Sequence, residues 1–328
     1  ACAGLFDEDA VPDVQLLAEQ CCGSLLKAAL LQKYDFSSQE QQGESAQAAL
    51  PKCRQWTKHS LERRLFDQIV RRTGARGLAR AGQLKLVVGV MLETCGVDRD
   101  ADLRLCMLSL LETLIAEKGD GAPLDAYLEP LVQDVLTPGL IWRVGRVAST
   151  IRKVGMFCFG QLVGAGNSAT QAKWFEQEAP QLVPTLKACL DDMDADTRRY
   201  ACVALRNLFG LFAQNGVRVS YILASDLYHD IVKRLDDADD NVRIVSCGAL
   251  VNLLKVSPDD FRRAGTPVDY ITDAAFIHLD DTKPDVQQAV FQIMEFLVSV
   301  DGIKKDSLLA KAQAQRSRHR APDYCDKI

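Results

Sequence analysis

The feature that most constrains this chain is a repeat between Leu182 and Leu254. The first copy reads LVPTLKACLDDMDADTRRYACVALRNL and the second reads LYHDIVKRLDDADDNVRIVSCGALVNL, and equivalent leucines such as Leu205 and Leu250 lie 45 residues apart. In each copy, apolar residues recur at the helical spacing i, i+3, i+4, i+7 on both sides of an acidic turn. One helix pair of this kind cannot bury its own apolar face, so the repeat predicts helix pairs that stack into a solenoid.

The acidic turns carry a second regularity, because an arginine follows an aspartate six positions later in both copies. Aspartate and asparagine cap helix starts, so these turns predict the start of each second helix. The pattern resembles the HEAT repeat, whose Asp and Arg side chains form a ladder between adjacent repeats. The resemblance implies that Arg243 reaches Asp237 and an aspartate of the preceding repeat such as Asp192. Weaker copies lie around Asp98, Ile151 and Asp281, and the last has glutamine in place of arginine. The predicted ladder residues are Asp98, Arg104, Asp192, Arg198, Asp237 and Arg243.

The pattern predicts an all-α fold, an α-solenoid of about six helix pairs. The resemblance to HEAT repeats implies that the superhelix is right-handed. It predicts a single HEAT-repeat array over residues 1–328. Within this array we expect an irregular N-terminal helix and mobile loop over residues 1–51, helix pairs over 52–300, and a C-terminal helix and tail over 301–328. No segment approaches the roughly 20 uninterrupted apolar residues of a membrane helix.

Patterns that suggest metal or cofactor chemistry have simpler interpretations. Asp192-x-Asp194-x-Asp196 resembles the start of a calcium loop, but the sixth and twelfth positions are Thr197 and Val203 instead of glycine and glutamate. The pattern Gly-x-Gly over residues 164–166 follows a helix instead of a strand, so it does not predict a dinucleotide site. The eleven cysteines include no Cys-x-x-Cys pair, and the four histidines are scattered. We predict no catalytic residue, no cofactor site and no metal site.

One segment, residues 52–85, is strongly basic. It holds ten lysines and arginines against two acids, although the whole chain has a net charge of −5. Few aromatic residues interleave with these cations, so the segment favours a solvated helix face or an acidic protein partner over nucleic acid. We predict a helix with an apolar stripe at Leu61, Leu65, Ile69 and Val70, ended by Gly74 and Gly77. The predicted partner-binding residues are Arg63, Arg64, Arg71, Arg72 and, in a separate connection over residues 138–147, Trp142.

Several segments resemble the dynein axonemal assembly factor 5 family, in its C-terminal portion. They are VLTPGLIWRVGRVASTIRKVGMFCF, QLKLVVGVMLETCG, DLRLCMLSLLETL, IVKRLDDADDNVR and QRSRHRAPDYCDKI. The resemblance implies a non-enzymatic cytoplasmic scaffold for preassembly of axonemal dynein arms. The implied partners are dynein intermediate and heavy chains, other assembly factors and chaperones, with no nucleic acid and no membrane. It also implies that many N-terminal repeats of the family are missing here. Two alternatives built from HEAT pairs stay open, an importin-β-like transport receptor and a phosphatase-type regulatory scaffold.

Overall fold

The structure, a computed structural model, describes residues 21–27, 29–30, 50–116, 123–166, 168–263, 266–299, 305–320 and 322–328. Throughout these ranges the chain is helix, turn or loop and contains no strand. The all-α prediction is therefore confirmed. The chain divides into two compact units, Ala1–Ala165 and Gly166–Ile328. The single array stays a prediction, and the predicted mobile loop over residues 34–48 lies outside the described residues.

In its described residues, the first unit contains five long helical segments. Residues 21–27 and 29–30 are also helical, and short 3-10 turns cover Leu50–Gln55 and Asp125–Tyr127. The segment called α4 combines Leu128–Pro130, a π-helical stretch at Leu131–Leu136, and Thr137–Leu140. In chain order the helices are α1 (Leu61–Arg80), α2 (Leu84–Thr94), α3 (Ala101–Ile115), α4 and α5 (Arg146–Ala165). Helix α3 packs against both α1 and α5, while α2 packs against the π-helical part of α4.

The second unit continues the alternation of helices and acidic turns. A 3-10 turn at Arg234–Asp236 extends α8, and another covers Arg316–Arg318. The helices are α6 (Ala169–Leu190), α7 (Ala195–Gln214), α8 (Tyr221–Lys233), α9 (Asp240–Val256), α10 (Asp259–Arg263), α11 (Thr266–His278), α12 (Pro284–Ser299), α13 (Lys305–Gln315) and α14 (Pro322–Lys327). One layer contains α6, α8 and α11, and the other contains α7, α9 and α12, each helix touching the next in its layer. This two-layer stack is the solenoid arrangement that the repeat predicts, whereas the number of repeats stays a prediction.

Polar side chains fix where the second helices begin. The Asp194 carboxylate accepts a hydrogen bond from the Thr197 amide at 3.0 Å, and Asp239 accepts from the amides of Asn241 and Val242 at 2.8 and 3.2 Å. Asp100 caps α3 in the same way, at 2.8 Å from the Leu103 amide. These bonds satisfy backbone donors that the first turn of a helix leaves free. The acidic turns therefore act as helix caps, as their sequence predicts.

The centre of the second unit is apolar and closely packed. Leu205 and Leu250, equivalent in the two repeats, are both fully buried, and so are Cys202 and Cys247. Burial raises the pKa of each of these two thiols to about 12, so both stay protonated at neutral pH. The repeated cysteines behave as small core residues in this layer.

Four local predictions need correction. Gly74 breaks the helical geometry of α1, with φ 69° and ψ 171°, but the helix resumes and ends only at Arg80. Phe66 and Val70 are the buried residues on its apolar side, whereas Leu61 is 61% exposed. The long connection predicted over residues 138–147 is shorter, because α4 continues to Leu140 and α5 begins at Arg146. The predicted C-terminal tail contains α14, whose Tyr324 ring lies 5.0 Å from that of Phe291.

Candidate partner-binding surfaces and the arginine–aspartate network

Asp237, in the turn before α9, accepts hydrogen bonds both from its own helix pair and from the first turn of α7. Arg198 donates two of them, from Nε to Oδ2 and from Nη2 to Oδ1, both at 2.7 Å. Arg234 donates from Nη1 at 3.1 Å, and the Asp239 amide donates at 3.1 Å. The Asp237 side chain is only 2% exposed. A buried carboxylate is tolerated when its lone pairs are filled by charged donors in this way.

The protonation of Asp237 reflects two opposed effects. Burial by itself raises the pKa of the carboxyl group, because the charged form loses hydration. The hydrogen bonds from Arg198 and from the Asp239 amide, together with the charges of Arg198 and Arg234, outweigh burial and hold the pKa below its ordinary value. Asp237 is therefore a carboxylate at neutral pH, and it links the turn before α7 to the turn before α9.

Arg243 repeats the arrangement one helix pair further along. Its Nη1 donates to the Asp237 carbonyl at 2.6 Å, as Arg198 Nη1 donates to the Asp192 carbonyl at 2.9 Å. Its Nε lies 3.1 Å from Oδ2 of Asp281, in the turn before α12. Each arginine thus contacts the backbone of its own turn and the carboxylate of the following turn. The expectation that Arg243 reaches back to Asp192 is wrong, because the second helices place its guanidinium beside the next turn.

The last copy keeps half of this arrangement. Gln287 occupies the arginine position, and its Nε2 donates to the Asp281 carbonyl at 2.6 Å. A side-chain amide carries no charge and so cannot form the forward ion pair that the arginines form. Within the described residues, the forward arginine–aspartate pairs therefore run from Arg198 with Asp237 to Arg243 with Asp281.

The copy at Asp98 and Arg104 has a different structure. Asp98 pairs with Arg99 at 3.0 Å and its side chain is 64% exposed. Arg104 is buried, and its guanidinium donates to the carbonyls of Cys95 at 3.1 Å and Pro138 at 3.4 Å. Burial lowers the pKa of Arg104. The predicted pairing of Asp98 with Arg104 is replaced by contacts to backbone carbonyls, because the loop turns the carboxylate outward.

The four arginines of α1 predicted to bind a partner lie in different environments. Arg71 bonds to Asp67 at 3.1 Å, donates to Thr113 of α3, and lies 3.4 Å from Ser109 Oγ. Arg63 is half-buried, whereas Arg64 and Arg72 are exposed. Arg71 therefore holds α1 against α3, and of the four arginines Arg64 and Arg72 present open guanidinium groups to solvent.

Trp142 lies in the connection between α4 and α5 and is 58% exposed. The guanidinium of Arg152 is 6.0 Å from the centre of its ring. Sequence reasoning identified Trp142 here but not the exposed valines and arginines beside it. The run IWRVGRV contains the signal, since four apolar residues interrupted by two arginines and a glycine fit neither a helix stripe nor a strand.

Three curated proteins match most of the chain. A protein from Xenopus laevis named dynein axonemal assembly factor 5 is 25% identical over 83% of this chain. The proteins of the same name from Homo sapiens and Mus musculus are 28% and 25% identical over 83% and 84% of it. The chain is similar to dynein axonemal assembly factor 5. This confirms the resemblance predicted from the sequence. The chain spans about a third of the length of these assembly factors, 31–32% of each.

Other comparisons bear on the fold alone. No protein-family model matches the chain. A crystal structure of an engineered protein from the Northeast Structural Genomics Consortium aligns with a TM-score of 0.56 at 16% identity, over 76% of this chain and 96% of the engineered one.

Among the described residues, no helix has the length and apolar character needed to cross a membrane. The same residues include no cluster of three or more His, Cys, Asp or Glu side chains suited to a metal ion.

Proposed function

We propose that this chain is a non-enzymatic scaffold that acts in the assembly of axonemal dynein arms. The observation that carries the proposal is its similarity, over more than four fifths of its length, to three proteins named dynein axonemal assembly factor 5. The scaffold binds dynein intermediate and heavy chains in the cytoplasm, together with other assembly factors and chaperones. A two-layer helical stack supports this role, because stacked repeats offer extended surfaces for protein partners.

Arg64 and Arg72 on α1 are the residues that we propose for docking an acidic segment of such a partner. Both are exposed, whereas Arg71 is engaged with Asp67 and α3, and they lie eight positions apart on one long helix. Exposed cations attract acidic partners, and the range of this attraction shortens as the salt concentration rises. Such cations contribute more to association rate and binding specificity than to folding stability. Reversing their charge therefore tests docking without disturbing the core.

The test is affinity capture of the tagged chain from ciliating cells, with bound proteins identified by mass spectrometry. We expect dynein intermediate and heavy chains to be enriched over an unrelated tagged helical protein. Absence of any dynein chain or dynein assembly factor from the captured material would refute the proposed function.

The docking residues are tested in the same assay. The double variant Arg64→Glu/Arg72→Glu is compared with Lys173→Glu/Lys255→Glu, which changes the net charge equally at exposed positions of the second unit. We expect the first variant to lose most of the dynein signal and the second to retain it. Equal capture by both variants at low salt would leave the function intact and remove α1 as the docking surface.

A further inference from the structure

We propose that the connection over residues 141–147, called here the Trp142 loop, binds a peptide segment in which acidic residues flank large apolar side chains. The proposal stands on this loop alone and does not depend on a role in dynein assembly. It rests on three properties of the loop, which are an unusual apolar exposure, two exposed cations and a backbone held in place.

The Trp142 loop exposes four large apolar side chains within seven residues. Ile141 is 51% exposed, Trp142 58%, Val144 84% and Val147 39%. Single exposed apolar residues are common on protein surfaces, but contiguous apolar surface beside polar residues marks binding sites. Tryptophan is also among the residues most often found at the energetic centre of protein interfaces. The loop therefore has the composition of a binding surface before any partner is considered.

The charge on the Trp142 loop indicates the chemistry of its partner. Arg143 and Arg146 are both exposed, and in the described parts of the chain neither guanidinium forms an ion pair. The two arginines lie on either side of Val144 in the sequence. A bound peptide that places a Leu or Phe side chain against Val144 and Trp142 therefore brings the adjacent peptide residues close to both guanidinium groups. Carboxylates satisfy those groups best, because arginine binds carboxylates in bidentate geometry. The complementary segment is acidic and apolar.

Two contacts and one glycine hold the Trp142 loop in a defined shape. The Arg152 side chain on α5 donates from Nη1 to the Arg143 carbonyl at 2.9 Å, and its guanidinium also lies at the Trp142 ring. Gly145 has φ 116°, a backbone conformation that favours glycine, and it lets the chain turn directly into α5. A surface that is already ordered loses less conformational entropy on binding, so a short peptide can bind with useful affinity.

Two other kinds of partner fit the Trp142 loop less well than an acidic peptide. Single-stranded nucleic acid uses aromatic and cationic groups, but the aliphatic side chains of Ile141, Val144 and Val147 offer nothing for phosphate or base edges. An anionic membrane attracts arginine and tryptophan, but basic segments that bind membranes typically carry about four to eight cations. The Trp142 loop carries only two. The combination of aliphatic groups with two exposed arginines favours a protein segment.

The experiment measures binding of fluorescein-labelled peptides to the full chain by fluorescence anisotropy. One peptide carries Glu around Leu and Phe, a second has the Leu and Phe residues replaced by serine, and a third has the Glu residues replaced by lysine. We expect the first peptide to bind at least about tenfold more tightly than either other peptide, with an affinity that falls as salt rises. Similar binding of all three peptides would overturn the proposal.

Variants then assign the binding to the loop. Trp142→Ala, Val144→Ser and Arg143→Glu/Arg146→Glu should each weaken the first peptide, by about tenfold or more for Trp142→Ala and for the double charge reversal. The matched controls are Val97→Ser, at another exposed valine, and Lys173→Glu/Lys255→Glu, which makes the same charge change at exposed positions of the second unit. Both controls should bind within about twofold of the wild type, the small effect expected outside an energetic centre.

Three outcomes contradict the inference. The first is that Trp142→Ala binds the peptide as the wild type does. The second is that Lys173→Glu/Lys255→Glu abolishes binding while the loop reversal does not. The third is that a single-stranded oligonucleotide or phosphatidylserine vesicles bind at the loop more tightly than the peptide. Circular dichroism of every variant separates loss of binding from loss of fold, and a folded Arg143→Glu/Arg146→Glu variant keeps the test valid if Trp142→Ala unfolds.

Discussion

At the scale of single residues, the turns of the second unit show how a charged group becomes part of a helical core. Asp237 is almost completely buried, and it keeps its charge because two arginines and one amide donate to it. Removing one partner of such a group leaves a buried charge without compensation, which typically costs about 3–5 kcal/mol. The network therefore links successive helix pairs, because separating two of them would leave a buried charged side chain without its partner.

Arg243→Ala tests the direction of this network. We expect the free energy of unfolding to fall by about 1–3 kcal/mol, because the ion pair with Asp281 and the hydrogen bonds to Asp240 and the Asp237 carbonyl are lost. In double-mutant cycles read by urea unfolding, Arg243→Ala should couple with Asp281→Ala by more than about 0.5 kcal/mol and be additive with Asp192→Ala. Coupling of Arg243 to Asp192 and not to Asp281 would instead support the predicted pairing of Arg243 with the preceding repeat.

Asp237 also predicts the acid stability of the protein. Its folded pKa is lower than that of the unfolded chain, so its contribution is complete above the unfolded value of 3.8 and is lost as the pH falls through the folded value. Asp237→Asn should therefore lower stability at pH 7, and the difference from the wild type should shrink below about pH 4.

The matched control for this acid test is Asp236→Asn at the exposed neighbouring position. It should stay within about 0.5 kcal/mol of the wild type at every pH, as surface substitutions do. Urea unfolding across the pH range measures both variants. A constant difference between Asp237→Asn and the wild type would contradict the assigned pKa direction.

At the scale of elements, α9 buries the same side of the helix that the repeat pattern predicts. Leu250 lies at its centre and is fully buried. Leu250→Ala removes several methyl and methylene groups and leaves a cavity, so we expect a loss of about 2–5 kcal/mol in denaturant unfolding. Ile222→Ala, at a position 81% exposed, should change stability by less than about 0.5 kcal/mol. Equal small effects at both positions would contradict the packing of α9.

Helix α1 depends on Gly74 for its interruption. The φ of 69° and ψ of 171° belong to a region that only glycine adopts readily. Gly74→Ala should therefore cost about 1–3 kcal/mol of unfolding free energy, although alanine normally stabilises a helix. Arg72→Ala, at an exposed position on the same helix, is the control and should be nearly neutral. A stabilising effect of Gly74→Ala would mean that α1 is continuous in solution.

At the scale of the whole molecule, the second unit carries its own core. Phe209, Phe212 and Leu250 are at most 1% exposed, and the two helical layers of this unit contact one another throughout. We expect residues 166–328, expressed alone, to give a helical circular dichroism spectrum and a cooperative thermal transition. A circular dichroism spectrum without helical signal, or a thermal melt without a cooperative transition, would show that this unit needs the rest of the chain to fold.

The sequence alone determined the features that depend on neighbours within one or two turns of helix. The period of the apolar residues indicated helices, Asp194 and Asp239 marked where α7 and α9 begin, and the spacing of Asp192 and Arg198 indicated a network of turns. Each of these signals acts through backbone amides or a helix face a few residues away. The family resemblance came from longer segments such as residues 135–159, and the comparisons confirm it.

Only the tertiary structure decided which residues these local signals bring together. Arg198 and Asp237 are 39 positions apart, and their contact depends on how one helix pair stacks on the next. The same stacking pairs Arg243 with Asp281 instead of Asp192. Arg71, which the sequence predicts to be available to a partner, instead donates a hydrogen bond to Thr113 because α1 packs against α3. The loop geometry turned Asp98 into solvent and exposed Val144 beside Trp142. Spacing along the chain fixes which residues share a turn or a face, but the partner of a long side chain is set by the helix that packs opposite it.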